Sequence, residues 1–258
     1  MEQEQSAAEK TNFLEERIKQ NQSNQSLDLN EWAFSRIEEF NVEMEILELC
    51  CGTGKQTKYL AKKFPKSRIT AVDISTDAIK KVQSSDFFNL SRIKTIVSGM
   101  DEFLVANTQK FDIVFVSYGL YYAKNLDQVI TQIIEQLNLD GKFIVLGPYG
   151  NNNKSLFDLV RDSGVEIDHF VIYSCTDFMH DKVIHLSLSN FQRYTIDTAI
   201  NLVQWKSASD VLSYWKNTTF YDEKREGIFT KKLDEHFSSY ESFNIEKHIM
   251  LFQGIKKL

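Results

Sequence analysis

Three short stretches hold the residues best suited to chemistry. In the first, Glu48-Leu49-Cys50-Cys51-Gly52-Thr53-Gly54-Lys55, an acid precedes a two-glycine turn. Gly52 and Gly54 can take backbone angles closed to other residues and let a ligand approach the main chain, and a helix that follows offers its amino terminus. In the second, Asp73 closes ITAVD with Ile74 beside it. A carboxylate at a strand end accepts bonds from both hydroxyls of a ribose, and an aliphatic neighbour packs on a purine face. In the third, SGMDEF, Asp101 is placed to accept from an exocyclic amine. Taken singly, each acid reads more readily as a helix cap or a solvated charge, and the glycine turn reads equally well as a tight connection without a ligand. The informative pattern is their succession.

That succession needs strands to position it. From residue 45 to about 163, short apolar runs alternate with helical spacing, the signature of consecutive βαβ units and a parallel sheet. The expected strands are 45–49, 68–73, 93–97, 111–117 and 141–147, and each of the three stretches follows one of the first three. Between the last two strands, Leu126, Val129, Ile130, Ile133, Ile134 and Leu137 keep the spacing of one buried helical face. Ligands of such doubly wound sheets sit beyond the carboxyl ends of the strands.

Taken together, these segments resemble the class I S-adenosylmethionine-dependent methyltransferases over residues 45 to about 150. ILELCCGTGKQT stands for the glycine motif, ITAVDIS for the ribose motif, SGMDEF for the adenine motif, and FDIVFVSYGLYYAKN for the fourth strand and its exit loop. LNLDGKFIVLG resembles the approach to the family's fifth strand. The resemblance implies a Rossmann-like α/β fold with a doubly wound, mostly parallel seven-stranded sheet. It also implies S-adenosylmethionine as cofactor and S-adenosylhomocysteine as product. Glu48 and the backbone around Cys50, Gly52 and Gly54 would hold the methionine portion, Asp73 the ribose, and Ile74 and Met100 the faces of adenine. Asp101 would take its amine, and Ser117 and Tyr118 would lie near the methionine end. Cys50 departs from the pattern, standing where the family's first glycine usually is.

Two other nucleotide motifs fit less well. A G-x-G-x-x-G dinucleotide pattern laid over Gly52, Gly54 and Thr57 lacks its third glycine, and the phosphate loop G-x4-G-K-[ST] fails at Leu49 and Gln56.

Residues 1–44 are expected to form an N-terminal helical segment, 45–165 the cofactor-binding core, 166–240 a cap or acceptor-binding insertion, and 241–258 a final strand rejoining the sheet. The cap is dense in aromatic residues between Phe170 and Tyr221, which either line a pocket for an apolar acceptor or form a second small core.

Transfer of a methyl group from a sulfonium is an in-line displacement that asks the protein chiefly for positioning, with a base only if the acceptor arrives protonated. The candidate base or orienting residues are Tyr121 and Tyr122 after the fourth strand, and His169, His180 and His185 in the cap, with His185 carried forward. An aromatic face can steady a sulfonium. Packing alone is the competing reading for the tyrosines, and a histidine without catalytic duty for each imidazole.

Composition narrows the partners. The chain has 258 residues, 42% of them hydrophobic and 26% charged, and a net charge of −6. An acidic total argues against a broad phosphate-gripping surface, so a small-molecule or protein acceptor is expected rather than nucleic acid. No run approaches the roughly 20 apolar residues of a membrane span and the start is polar, so a cytoplasmic protein is expected. Adjacent Cys50 and Cys51 with distant Cys175 give neither a disulfide framework nor a metal-ligand set, and a metal-independent reaction is expected. The leading expectation is a small-molecule methyltransferase, acting on oxygen before nitrogen or carbon. The alternatives are a non-catalytic protein that binds the same cofactor and, behind it, an NAD-dependent dehydrogenase. Oligomeric state is left open.

Overall fold

The computed structural model describes residues 11–89 and 91–256. The described chain opens with α1 (Thr11–Asn24), and the part of the expected N-terminal helical segment over residues 1–10 lies outside the described residues. After α2 (Leu29–Arg36), strands and helices alternate: β1 (Glu45–Leu49), α3 (Lys55–Lys63), β2 (Arg68–Asp73), α4 (Thr76–Gln83), β3 (Ile93–Val97), α5 (Met100–Ala106) and β4 (Phe111–Ser117). A 3-10 turn (Leu120–Tyr122), α6 (Leu126–Gln136) and β5 (Leu137–Pro148) follow. Then come α7 (Lys154–Asp162), α8 (His169–Thr176), a π-turn (Met179–Ile184), α9 (His185–Asn190) and β6 (Phe191–Trp205). The chain continues with α10 (Ala208–Lys216), α11 (Glu226–Phe237) and β7 (Phe243–Lys256).

The seven strands form one mixed sheet in the order β3-β2-β1-β4-β5-β7-β6, the seven-stranded α/β arrangement that the resemblance implies. β1 lies between β2 and β4, parallel to both. The chain steps outward from β1 to β2 and β3, then returns to the other side of β1, which makes the β1/β4 boundary the switch point of the winding. The central strands are apolar because both faces are covered: Ile46, Leu47, Leu49, Val114, Phe115 and Val116 are fully buried. Helices start where local chemistry starts them. Ser75 Oγ accepts from Ala78 N at the head of α4, and Asn125 Oδ1 accepts from Gln128 N at the head of α6.

The first four expected strands agree with the structure residue for residue. β5 begins earlier than expected, at Leu137, because the turn-like LNLDG is taken into the strand as an irregularity opposite Phe111 and Ile113, with Asp140 at φ 58°. β6 falls within 166–240, where no strand is predicted from the sequence, and it lies at the sheet edge.

The chain divides into two compact units, each discontinuous in sequence. One comprises Asn30–Gly147, Met179–Thr198 and the chain from Met250 on. The other comprises the chain up to Leu29, Pro148–Phe178 and Ala199–Ile249. The second has a core of its own, in which Trp215 stacks on Phe229 at 4.1 Å and Trp205 lies 5.2 Å from Tyr214. Trp205, Tyr214 and Trp215 belong to the aromatic-rich segment, and here they pack together.

Candidate functional site

Strand register sets the frame of the site. Leu49 pairs with Val72 on one side and Val116 on the other, so the next residues, Asp73, Cys50 and Ser117, are level at the tips of three adjacent strands. Each carries a different chemistry.

Asp73 is tied into the glycine turn. Its Oδ2 accepts from Gly52 N at 2.7 Å and its Oδ1 from Ser75 N at 2.9 Å. An ionised carboxylate has about four lone-pair positions, so each oxygen keeps accepting capacity for a hydroxyl. Burial raises the carboxyl pKa above its ordinary value, and the two amide bonds oppose that rise. Ile74 next to it is 51% exposed.

At the turn, Cys50 has φ 57°, Gly52 φ 54° and Gly54 φ 84°. The left-handed conformation expected of a glycine is thus adopted by Cys50. Its side chain is directed at the loop after β4, where a β-carbon built on Gly119 would stand 2.4 Å from Cys50 Cβ and 2.7 Å from its Sγ. Gly54 is required for packing, since a β-carbon there would meet Val82 and Phe87 of the α4 region at 2.9 Å each. Burial pushes the Cys50 thiol up, and the surrounding acids Asp73, Asp101 and Glu48 add to the rise, so it is not a thiolate nucleophile.

Glu48 is 1% exposed, and its Oε2 accepts from Thr57 Oγ1 at 2.6 Å. Burial raises its pKa to about 8 against the pull of the Thr57 bond, with Asp73 adding repulsion, so at neutral pH it is mostly a neutral acid. Ser117 contributes a buried hydroxyl oxygen with no hydrogen-bond partner among the described residues, a costly arrangement that a ligand contact would relieve. Tyr118 follows at φ 52°, its amide donating to Leu146 O.

Asp101, in the first turn of α5, accepts from Lys124 N at both carboxylate oxygens and from Asn125 N at Oδ1. Part of the accepting capacity that the sequence assigns to an amine is therefore spent on holding the loop that leads into α6. Met100 beside it is buried. That loop carries Tyr121 and Tyr122, half-buried and in edge contact at 4.7 Å. His185, on α9, is exposed and makes no hydrogen bond or ion pair among the described residues, so no contact ties it to the strand-tip group. His169 stacks on Tyr173, and His180 pairs with its neighbour Asp181.

The cluster joins acids, an orphaned hydroxyl and an open glycine turn, which suits a ligand that is cationic at one end and carries a diol at the other. The sequence missed Thr57 as the partner of Glu48 and Gly119 as the space for Cys50. Gly119, alone among larger residues in SYGLYY, was the available signal. Among the described residues no group of three or more His, Cys, Asp or Glu is placed to hold a metal ion, and no helix is long and apolar enough to cross a membrane.

Comparison with known proteins bears on this arrangement. Residues 40–208 match the model of a family described as a methyltransferase domain. The chain is 33% identical over 115 residues to a malonyl-[acyl-carrier protein] O-methyltransferase of Priestia megaterium, covering 43% of this chain and 39% of that protein. It is 33% identical over 105 residues to a demethylmenaquinone methyltransferase of Lactobacillus johnsonii, covering 39% of this chain and 42% of that one. It thus spans about two fifths of the length of these curated relatives. Among solved structures, the YcgJ protein from Bacillus subtilis superposes with a TM-score of 0.61 at 14% identity, covering 88% of this chain and 97% of that one, a likeness of fold.

Proposed function

Because this chain belongs to the class I S-adenosylmethionine-dependent methyltransferase family, we propose that it transfers a methyl group to a small-molecule acceptor, probed first at oxygen, and does so without a metal. The observation that carries the reading is the level alignment of Asp73, Cys50 and Ser117, with Asp73 bonded into the glycine turn through Gly52.

When bound, S-adenosylmethionine supplies a methyl group on a positively charged sulfur. Asp73 accepts the ribose hydroxyls with the lone pairs left over from Gly52 and Ser75. Ile74 and Met100 would flank the base, and Asp101 would hold its amine. Glu48, the turn from Cys50 to Gly54, Ser117 and Tyr118 serve the methionine end. Tyr121 and Tyr122 orient the acceptor, and holding two reactants at near-contact distance contributes on the order of 7 to 11 kcal/mol in well-oriented cases. His185 is assigned as the base for an acceptor that arrives protonated. Residues 166–240 are assigned to acceptor choice. The two relatives' names point to acceptors as different as an acyl-carrier-protein thioester acid and a quinone precursor, which keeps the acceptor class wide. The acidic net charge favours a small molecule over nucleic acid, and three free cysteines accord with a cytoplasmic setting.

Calorimetry with S-adenosylmethionine, S-adenosylhomocysteine and NAD, repeated on Asp73→Ala, tests the reading. Binding of the first two, with a loss of at least about tenfold in the variant, supports it, a change of about 1.4 kcal/mol. Binding of NAD alone, or affinity indifferent to Asp73, overturns it. Turnover of labelled cofactor with a metabolite extract separates an enzyme from a protein that only binds the cofactor.

A further inference from the structure

A second cluster of unmet polar groups lies outside the strand-tip site. Arg17 Nε, Gln20 Oε1, Asn21 Oδ1 and Trp205 Nε1 are buried atoms with no hydrogen-bond partner among the described residues. All belong to the unit built from the chain up to Leu29, Pro148–Phe178 and Ala199–Ile249. Arg17, Gln20 and Asn21 are spaced i, i+3 and i+4 on α1, hence on one face of the helix. Trp205 is only 2% exposed, and its ring lies 5.2 Å from that of Tyr214.

Tyr214 is the hub of this cluster. Lys247 Nζ donates to its hydroxyl at 2.8 Å and also to Asn153 Oδ1. The charges of Lys247 and Arg17 both act on it, and Asn21 is near enough to favour its ionised form. Burial would push the phenol up, yet these donors and charges bring its pKa below the ordinary value. Cys175 feels the same two cations, Lys247 and Arg17. No carboxylate is among the groups acting on Tyr214 or Cys175, and neighbouring Glu246 is paired with His248. Neither Arg17 nor Lys247 forms an ion pair among the described residues. Two half-buried cations without a counter-charge among the described residues carry a desolvation cost, and an anion is the group that would offset it.

We propose that Lys247, Tyr214, Arg17 and Trp205 form a binding site for a carboxylate carried by a small organic ligand. The unpartnered Arg17 Nε–H and Trp205 Nε1–H can only donate, and an arginine edge suits a planar carboxylate. Lys247 supplies charge, and the Tyr214 hydroxyl, already accepting from Lys247, keeps its own proton to donate. The Gln20 and Asn21 oxygens accept, so the ligand carries a hydroxyl or amine close to its carboxylate. The site concerns binding alone and stands or falls apart from methyl transfer.

The test uses the full chain with S-adenosylhomocysteine present, so that the carboxylate of the cofactor is not the one observed. Glycolate, lactate and mandelate are titrated against their primary amides and inorganic phosphate, with the three tryptophan indole signals followed by nitrogen-15 NMR and assigned with Trp205→Phe. The expected result is binding of at least one acid that moves the Trp205 signal, with its amide weaker by about tenfold or more. Lys247→Met should lose about tenfold, Tyr214→Phe several-fold, and Lys247→Arg should retain binding. If Lys247→Met does not fold, Lys247→Arg and the acid-to-amide comparison in the unaltered chain carry the decision. Acids and amides binding alike, phosphate binding more tightly than every acid, or no acid binding at its solubility limit each overturn the proposal. Failure of S-adenosylhomocysteine to bind is read in its own titration and bears only on the function proposed above.

Discussion

Cys50 and Gly119 fit each other as side chain and space: a β-carbon on Gly119 would stand 2.4 Å from Cys50 Cβ. Gly119 itself has φ −134°, an angle open to alanine, so its restriction is steric and comes from Cys50. The residue that departs from the family's glycine is thus accommodated by a glycine elsewhere. Gly119→Ala should lower stability by roughly 1–3 kcal/mol through overpacking. In a Cys50→Gly background most of that loss should vanish, because the obstructing side chain is gone and the left-handed angle, costing about 1–2 kcal/mol for other residues, becomes free. Urea midpoints of the four proteins measure the coupling. Strict additivity of the two substitutions would refute the steric account.

Glu48 makes stability depend on pH in a known direction. Its folded-state carboxyl holds its proton to about pH 8, against an ordinary value of 4.5. Between those two values the folded chain binds more protons than the unfolded one. Stability therefore falls as pH rises through that window and levels off above it, by at most about 1.4 kcal/mol per pH unit. Asp73, also raised, contributes in the same sense. Glu48→Gln keeps an oxygen for Thr57 and removes the ionisation, so it should flatten the fall and raise stability most at alkaline pH. Denaturant titrations from about pH 5 to about pH 9 check this. A variant whose profile parallels the parent's would show that Glu48 is not the group responsible.

The fold and the site were legible to different depths. β1 to β4 could be read to the residue because buried parallel strands are short apolar runs bounded by turn residues. β5 was shortened because its first residues look like a turn and are built as a bulge. β6 was passed over although Tyr194, Ile196, Thr198, Ile200 and Leu202 alternate. The four apolar members of that stripe are exposed, so the alternation carried none of the usual burial logic. At the site, Asp73 was readable from its place at a strand end. The Asp101 bonds to Lys124 and Asn125 were not, because they join backbone amides 23 and 24 residues away. The cluster around Tyr214 was also invisible, since Arg17 and Lys247 are 230 residues apart in sequence.

Asp101, the proposed contact for the adenine amine, also holds the loop that leads into α6. Its carboxylate holds the amides of Lys124 and Asn125, just beyond Tyr121 and Tyr122. Asp101→Ala leaves those donors without their acceptor, a loss of about 1–3 kcal/mol locally. Hydrogen exchange over residues 119–126 should speed up, and catalytic turnover with any accepted substrate should fall alongside cofactor affinity. Asp101→Asn retains one accepting oxygen and should give an intermediate exchange rate. Unchanged exchange in the alanine variant would separate Asp101 from the loop and leave it a cofactor contact alone.

The edge of the sheet offers the last test. β6 carries Tyr194, Ile196, Ile200 and Leu202 exposed along one side, and an apolar edge strand is a template for unwanted pairing. Its far end is partly closed, since Ser26 N donates to Leu202 O and Gln25 bridges Val203 in antiparallel fashion. The open part is therefore the stretch before Leu202. Ile200 is 55% exposed, so Ile200→Lys removes little buried area and should change the urea midpoint by no more than about 0.5 kcal/mol. The same lysine should raise the concentration at which the protein begins to scatter light. A segment-deletion test of acceptor choice across 166–240 would remove β6 and confound sheet integrity with specificity, so point substitutions on α8 and α10 are the proper probes. If Ile200→Lys instead lowered stability by several kcal/mol, the exposed face would have to be covered in solution, and sedimentation of the unaltered chain should then show an oligomer.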